Sequence, residues 1–420
     1  MKGMNLKLIN NRLQKFFLII FLLFVFLFCN VNYLYIYASS EPSVSANGAI
    51  LLDNRTNKVL YSKNENERMY PASTTKIMTA ILALENGNLD DIVTASHEAV
   101  TTIPYGYSIA DIQVGEQLTV EQLLEVLLVH SANDAANVLA EYVGGSIDSF
   151  VSMMNTKLNE LGLTNSHFTN AYGLHDENHY TTPSDLAKLM QYCMKNTNFR
   201  RLAGMASCAI PATNMKDNRL YTSTNFLIVP ESNYYTSYIT VGKTGFTSQA
   251  GDCLVTAGYN NNIELICVVL GCHTSNSRFE DVISLYEYGY NNFSLKNIAN
   301  ENDVITQIEV KNATNDTKQL DLLIYEDIPA LVQNSDDISN IKPEIDLNNN
   351  IKAPIMQGDI LGRVSYTVNG VNYTSDLIAS HDVEQLHIPR SVIYICLIFV
   401  IVILIYMIFY HTPKKYRKRR

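Results

Sequence analysis

Pro71-Ala72-Ser73-Thr74-Thr75-Lys76 opens a segment in which Ile77, Ala80, Ile81 and Leu84 fall on one helical face, and this spacing predicts a helix from Ser73 to Glu85. A serine at a helix start has its hydroxyl beside backbone N–H groups that no intrahelical acceptor uses. Lys76, three residues on, lies on the same face and can take the hydroxyl proton, provided its amine is neutral. Burial and a second nearby cation would hold it neutral. Alone the pattern is weak, because Ser-x-x-Lys arises about once or twice by chance in a chain this long. Ser339-Asn340-Ile341-Lys342 also matches, but in an Asp/Asn-rich stretch where Pro343 disfavours helical geometry at Lys342. That copy reads as surface loop.

Two later motifs give Ser73 its context. Ser131-Ala132-Asn133 falls at a corner between two expected helices, with His130 before it and Asp134 after it. Ser-x-Asn recurs at Ser62-Lys63-Asn64 and Ser223-Thr224-Asn225, so only its place at the corner distinguishes the Ser131 copy from a plain helix cap. Lys243-Thr244-Gly245 follows Ile239-Thr240-Val241 on a β-branched strand. A cation, a hydroxyl and a glycine there can hold a carboxylate and leave the backbone open to an extended peptide. This triplet has roughly one chance in ten of arising by accident.

In the order Ser-x-x-Lys, Ser-x-Asn, Lys-Thr-Gly, the three resemble the signature of penicillin-binding proteins and serine β-lactamases. The longer stretches Tyr70-Pro-Ala-Ser73-Thr-Thr-Lys76-Ile-Met-Thr79, Leu128-Val-His-Ser131-Ala-Asn133-Asp-Ala135 and Val241-Gly-Lys243-Thr-Gly245-Phe-Thr247 are similar to low-molecular-mass D-alanyl-D-alanine carboxypeptidases. His179-Tyr-Thr-Thr182 with Asp185-Leu-Ala187 adds to the likeness. It covers residues 45–290 well, and Ala353-Pro354 to Ala379 more loosely.

The resemblance implies an α+β transpeptidase-type fold, an antiparallel sheet with helices and a helical subdomain, followed by a small all-β domain. It implies Ser73 as nucleophile, Lys76 as base and Ser131 as proton relay. Asn133, Lys243, Thr244, Gly245 and Phe246 would bind substrate, the backbone N–H groups of Ser73 and Phe246 forming the oxyanion hole. The implied partners are peptidoglycan stem peptides ending in D-Ala-D-Ala, with β-lactams as covalent inhibitors, and no cofactor or metal is called for. There are departures: Asn170-Ala-Tyr-Gly173 stands where the family usually shows Asn-Pro-His-Gly, and Phe246 often has a histidine or tyrosine counterpart.

Other chemistries fit less well. His175-Asp-Glu-Asn-His179 has two histidines four apart, but in a Gly/Asn-containing loop with no apolar helical face to present both to a metal. A β-lactamase would need a Glu-x-x-x-Asn deacylating loop, and none stands at the right place. A D,D-endopeptidase would use the same residues, although the appended β domain favours the carboxypeptidase. A wall-binding or sensing module with a dead site has no reason to keep Ser73, Lys76, Ser131, Asn133 and Lys243 together.

Around these motifs the catalytic domain is expected over 41–296. Ala49–Asp53 and Lys58–Ser62 read as a hairpin, Thr119 with Gln122 as a capping box, and Thr182-Pro183 as a helix start. Helices are expected over 134–142, 147–161 and 278–290, with strands at Tyr238–Val241, Cys253–Tyr259 and Ile263–Leu270. Strands at both ends with helices between argue for a sheet completed by the two ends of the domain. A compositional break at 294–303 separates a β-rich domain over 297–388, which contains a Val368-Asn369-Gly370-Val371 hairpin turn.

The termini set the compartment. Residues 1–40 read as a secretory signal peptide: Lys2, Lys7, Arg12 and Lys15 without an acid, an apolar run from Phe16 to Cys29, then Ala38, Ser39 and Ser40. An uncleaved anchor is the alternative, and Phe28 before Cys29 argues against lipidation. Ser391–Tyr410 is apolar throughout and long enough to span a bilayer, and residues 411–420 hold six cations, which belong on the cytoplasmic side.

The net charge is −10; the first fifteen residues carry +4 and the last ten +6, so the stretch between carries −20. Such an acidic ectodomain excludes nucleic acid as a partner. Its five cysteines, Cys193, Cys208, Cys253, Cys267 and Cys272, show no Cys-x-x-Cys spacing and read mostly as small buried apolar residues.

Overall fold

The structure, a computed structural model, describes residues 41–387 and 389–410. The expected signal segment 1–40 and basic tail 411–420 lie outside the described residues. From Ser43 onward the described residues make up a single unit.

The expected hairpin pairs β1 (Gly48–Asp53) antiparallel with β2 (Val59–Lys63). The serine segment departs from the expected continuous helix: Ala72–Thr75 is one 3-10 turn, and α1 runs Lys76–Asn86. Two adjacent threonines account for the tighter turn. Thr74 Oγ1 donates to Pro71 O at 2.7 Å and Thr75 Oγ1 to Ala72 O at 2.8 Å, three-residue back-bonds that suit 3-10 geometry.

A small ladder of β3 (Ile92–Thr94) and β4 (Gln117–Thr119) brackets α2 (His97–Thr101). The capping box forms as expected, Thr119 Oγ1 accepting from Gln122 N and Gln122 Oε1 from Thr119 N, and it starts α3 (Val120–Val129). Next come α4 (Asn133–Gly144) and α5 (Ile147–Glu160), then α6 (Pro183–Cys193) capped by Thr182, and α7 (Thr197–Ala203). A hairpin of β5 (Ser207–Ile210) and β6 (Arg219–Thr222) precedes the strands β7 (Ile239–Thr247), β8 (Gly251–Asn260) and β9 (Ile263–Cys272), and α8 (Ser277–Asn292) follows.

The main sheet is antiparallel with order β2-β1-β9-β8-β7, so both ends of the domain build it. β7 runs on through Lys243-Thr244-Gly245 and leaves one edge unpaired. Each face of the sheet has its own core. Ile50, Leu52, Val255, Ala257, Ile266 and Val268 pack with α1, α3, α4 and α6, while Leu51, Leu254, Leu265 and Val269 pack under α8. Covered on both sides, β8 and β9 read as near-continuous apolar runs.

β10 (Phe293–Ala299) pairs with β13 (Ile328–Gln333) and passes through the expected boundary at 296/297. Phe293 and Leu331 belong to the core under α8, whereas Ala299 and Ala330 belong to the third core, so this ladder ties the two domains together. The remaining strands β11 (Val304–Glu309), β12 (Gln319–Ile324), β14 (Glu344–Leu347), β15 (Ile360–Val368) and β16 (Val371–Ala379) form an antiparallel sheet of order β11-β12-β16-β15-β14. Asn369 and Gly370 turn β15 into β16 with φ of 50° and 80°, the backbone a two-residue type I′ hairpin requires. Finally α9 (Arg390–Tyr410) is long and apolar enough to cross a membrane, and none of it is buried.

Candidate active site

Ser73 sits in the 3-10 turn, three residues ahead of Lys76, and Lys76 as first residue of α1 points back to it. Lys76 is fully buried, and its Nζ lies 2.9 Å from Ser73 Oγ, 2.6 Å from Asn133 Oδ1 and 2.9 Å from Tyr172 O. Burial first, and the Lys243 cation second, hold its amine well below the ordinary lysine range, with Asp134 pulling the other way.

Ser131 occupies the corner between α3 and α4 with φ of 65°, a left-handed conformation that a serine adopts at a cost of about 1–3 kcal/mol. It is held there from both sides, Ala132 N donating to Val126 O at 3.1 Å and Asn133 N to Ser108 O at 2.9 Å. The conformation turns the Ser131 hydroxyl to Lys243 Nζ at 2.9 Å, and Lys243 Nζ also donates to Thr244 O at 2.9 Å. Lys243 is buried on β7; desolvation, then Arg278, push it down to about 7.

Thr244 Oγ1 lies 2.6 Å from Thr224 Oγ1. Gly245 passes so close to the serine turn that a Cβ there would lie 3.0 Å from Ser73 N. Phe246 turns its ring outward and is 60% exposed, which leaves its backbone as the part nearest the serine turn.

All eight expected site residues therefore converge, and every one except the buried Lys76 and Lys243 lines a single cleft of about 440 Å³. Arg278 also lines it, and carried no motif that would single it out. It leads into α8, donates from Nη1 to Asp252 Oδ1 at 2.8 Å, and reaches Gly245 O at 3.5 Å. The opposite wall, Gly106, Tyr107 and Ser108, also carried no chemical signal. Asp134 anchors that wall: its buried carboxylate accepts from Ala110 N at 2.9 Å and Ile112 N at 3.0 Å. Burial pushes this carboxyl up, and the backbone donors oppose the rise.

The segment that departs from the family pattern buttresses the serine from behind. Tyr172 supplies a backbone acceptor to Lys76, and Ala171 O accepts from Thr79 Oγ1 at 2.5 Å. Gly173, with φ of 89°, lies so close to Ala72 O that a Cβ would come within 1.8 Å. The two histidines weighed as a metal pair part company. His179 is buried, with Nε2 2.8 Å from Thr75 Oγ1 and Nδ1 accepting from Thr169 N at 3.0 Å, and burial pushes it down to about 3. His175 packs edge-on to Tyr70 at 4.5 Å. Among the described residues no three His, Cys, Asp or Glu side chains cluster as metal ligands. The second Ser-x-x-Lys copy lies in an exposed loop, where Ser339 Oγ bonds to Asp337.

Comparison with known proteins agrees with this arrangement. The D-alanyl-D-alanine carboxypeptidase family profile matches residues 36–274, and that of the penicillin-binding protein 5 C-terminal domain matches 293–385. The D-alanyl-D-alanine carboxypeptidase DacF of Bacillus subtilis is 32% identical over 354 residues, covering 83% of this chain and 88% of the relative. DacC of Escherichia coli is 29% identical over 377 residues, covering 86% and 90%. Among solved structures, the peptidoglycan synthesis regulatory factor PBP3 of Streptococcus pneumoniae superposes with a TM-score of 0.69 at 26% identity, covering 82% of this chain and 100% of that one. Penicillin-binding protein 5 of Haemophilus influenzae gives 0.65 at 26% identity over 82% and 99%. With a family profile over more than half its length and a relative this similar over most of it, the chain belongs to the D-alanyl-D-alanine carboxypeptidase family of serine-type, penicillin-binding peptidases.

Proposed function

We propose that this protein removes the terminal D-alanine from peptidoglycan stem pentapeptides through an acyl-enzyme on Ser73. The observation that carries the reading is the count of partners at Lys76 Nζ. A neutral amine has two N–H groups and one lone pair. With burial and then the Lys243 cation favouring the neutral amine, Asn133 Oδ1 and Tyr172 O take its two hydrogens and its lone pair is left for Ser73 Oγ at 2.9 Å. A base so placed accepts the hydroxyl proton as Oγ attacks the carbonyl between the two D-alanines.

The substrate lies extended along the free edge of β7, its terminal carboxylate toward Lys243, Thr244 and Arg278. The oxyanion sits between the N–H groups of Ser73 and Phe246, where Gly245 lets strand and turn close up. Ser131, bonded to Lys243, relays the proton that Lys76 took from Ser73 on to the departing D-alanine nitrogen, which leaves Lys76 free again as a base, and Asn133 orients the donor peptide. Water, losing its proton to the same base, then cleaves the ester and returns Ser73 to its hydroxyl form. A β-lactam presents its strained carbonyl to the same hydroxyl and stays attached.

Residues 1–40 act as a cleaved secretory signal, 41–296 as the catalytic domain and 297–388 as the β domain. Residues 391–410 anchor the protein in the cell membrane, with 411–420 cytoplasmic and the catalytic domain outside. The test compares wild type with Ser73→Ala for labelling by a fluorescent penicillin and for D-alanine release from a stem pentapeptide. Both are expected to vanish in the variant, with unchanged melting. Labelling that survives Ser73→Ala sinks the mechanism, and labelling of wild type without D-alanine release moves the activity to cross-linked peptides.

A further inference from the structure

The end of the β domain from which the chain leaves for α9 is unlike the rest of the ectodomain. Three segments meet there: Ile355 bridges Val383 and Ala313 bridges Gln385, both antiparallel, and Lys311 bridges Lys352 in parallel. Leu386 N donates to Asn312 O at 2.7 Å. As the chain advances from Val383 to His387, its two partners therefore run backward, from Ile355 to Lys352 and from Ala313 to Lys311. This register brings both lysines to the exit end of the ladder, and both are exposed. Residues 310–315, 349–354 and 385–390 contain Lys311, Lys352, His387 and Arg390 and no Asp or Glu, with Glu309, Asp316 and Glu384 flanking them, in a chain whose stretch between its basic ends carries −20.

The tether is short. Among the described residues Leu386 is the last the ladder holds, and α9 begins at Arg390, so the two Cα atoms are at most about 14 Å apart. We infer that this end of the β domain docks on the anionic headgroup surface of the bilayer, with Lys311 and Lys352 against headgroup phosphates. The inference rests on α9 being a membrane span. Docking holds the cleft at one height above the bilayer, where a free tether would let the domain swing. Fields from such a surface fall off within a Debye length of about 8 Å, so only side chains at this end of the domain feel them.

The chain has no tryptophan, which makes a single introduced indole a clean reporter. Asn349 is exposed at the exit end. Tyr325, also exposed, follows β12, which runs from Gln319, paired with Glu309 beside that end, about 20 Å away from it. The full-length chain carrying Asn349→Trp or Tyr325→Trp is placed in nanodiscs of zwitterionic or phosphatidylglycerol-containing lipid brominated near the headgroup. Retention in discs after detergent removal tests the span separately.

In anionic discs Asn349→Trp is expected to be quenched at least about threefold more than Tyr325→Trp. Adding Lys311→Glu and Lys352→Glu should remove that excess, each lysine being worth roughly fivefold in the ratio of docked to free domain. Chain that stays in anionic discs while Asn349→Trp is quenched no more than Tyr325→Trp overturns the docking. Excess quenching that is equal in zwitterionic discs and indifferent to both Lys→Glu changes overturns its electrostatic basis.

Discussion

Replacing Gly245 with alanine probes the oxyanion geometry with one methyl group. A Cβ at this position would lie 3.0 Å from Pro71 O and Ser73 N and 3.1 Å from Thr74 N, against a comfortable separation of about 3.5 Å. Strand and turn must therefore part by about half an ångström, and neither is free to give. β7 is zipped to β8 through Thr247, and the turn is tied by Thr74 Oγ1, by Thr75 Oγ1 and, through Thr75, by buried His179. Losing one oxyanion donor outright costs about 10²–10³ in rate, and a donor displaced by half an ångström should reach the low end, about 100-fold or 2.7 kcal/mol. The overpacking itself should cost about 1–3 kcal/mol of stability. Stopped-flow acylation by a fluorescent penicillin, D-alanine release and thermal melting are measured together, with Phe246→Ala as the control. That change removes an exposed ring and keeps the backbone, so its acylation should stay within about threefold of wild type. Gly245→Ala acylating within about threefold of wild type would show that the contact between strand and turn does not position the reacting carbonyl.

The kcat/KM of peptide cleavage should fall on the alkaline side through pH 7, because Lys243, pushed down to about 7, loses there the charge proposed to hold the terminal carboxylate. Arg278→Met removes a cation that disfavours protonated Lys243, so that limb should move to higher pH even as KM rises; a limb that stays put takes Lys243 out of the role. Gly173→Ala drives a Cβ against Ala72 O at a positive φ and should cost at least about 3 kcal/mol, a fall in Tm of roughly 6–12 °C; melting within about 2 °C of wild type would mean the buttress can retreat. Cys193, Cys208, Cys253, Cys267 and Cys272 are all buried free thiols, and burial pushes Cys208 and Cys253 up to about 12. Iodoacetamide at pH 8 should leave all five unmodified in the native protein and label them after unfolding, whereas fast native labelling of any one would contradict its burial.

The parts of the molecule legible in its sequence are those whose physics is local. The Thr119/Gln122 box, the Thr182-Pro183 start and the Asn369-Gly370 turn each satisfy their own backbone groups within a few residues, and all three form as expected. The motif residues were legible because three short patterns in a fixed order are improbable together. Arg278 and Asp134 were not, since each is a single charge whose meaning comes from residues far away in sequence. Arg278 reaches the cleft only because α8 starts beside the Gly245 end of β7, and Asp134 matters because a loop twenty-odd residues upstream folds onto it. The 3-10 form of the serine turn is hidden for a related reason. An apolar stripe records the face a segment buries, not whether its first turn is 3-10 or α. Here that was decided by two threonine hydroxyls reaching back three residues.

In a chain whose stretch between its basic ends carries −20, the proposed substrate carboxylate needs a site that overrides that charge, and the site's own carboxylates are already engaged. Asp134 spends its oxygens on the backbone N–H groups of Ala110, Ile112 and Ala135, and Asp252 is paired with Arg278. Glu116, fully buried beyond the far wall, is held by Arg219 and by Gln113 N. With the nearby acids committed, Lys243 sets the local field beside an Arg278 already paired with Asp252, and in a buried site that field outweighs a larger charge screened by solvent. The same two cations divide the labour between the lysines. Burial, and Arg278 after it, bring Lys243 only to about 7, so it can carry charge for the proposed substrate. Burial, with the Lys243 cation behind it, drives Lys76 well below its ordinary range, which favours a free base beside Ser73. Environments that separate the pKa values of two like groups assign them opposite roles. The Lys243 cation, second to burial among the causes that lower Lys76, should therefore matter to acylation itself: neutralising Lys243 should slow acylation even by β-lactams that carry no carboxylate.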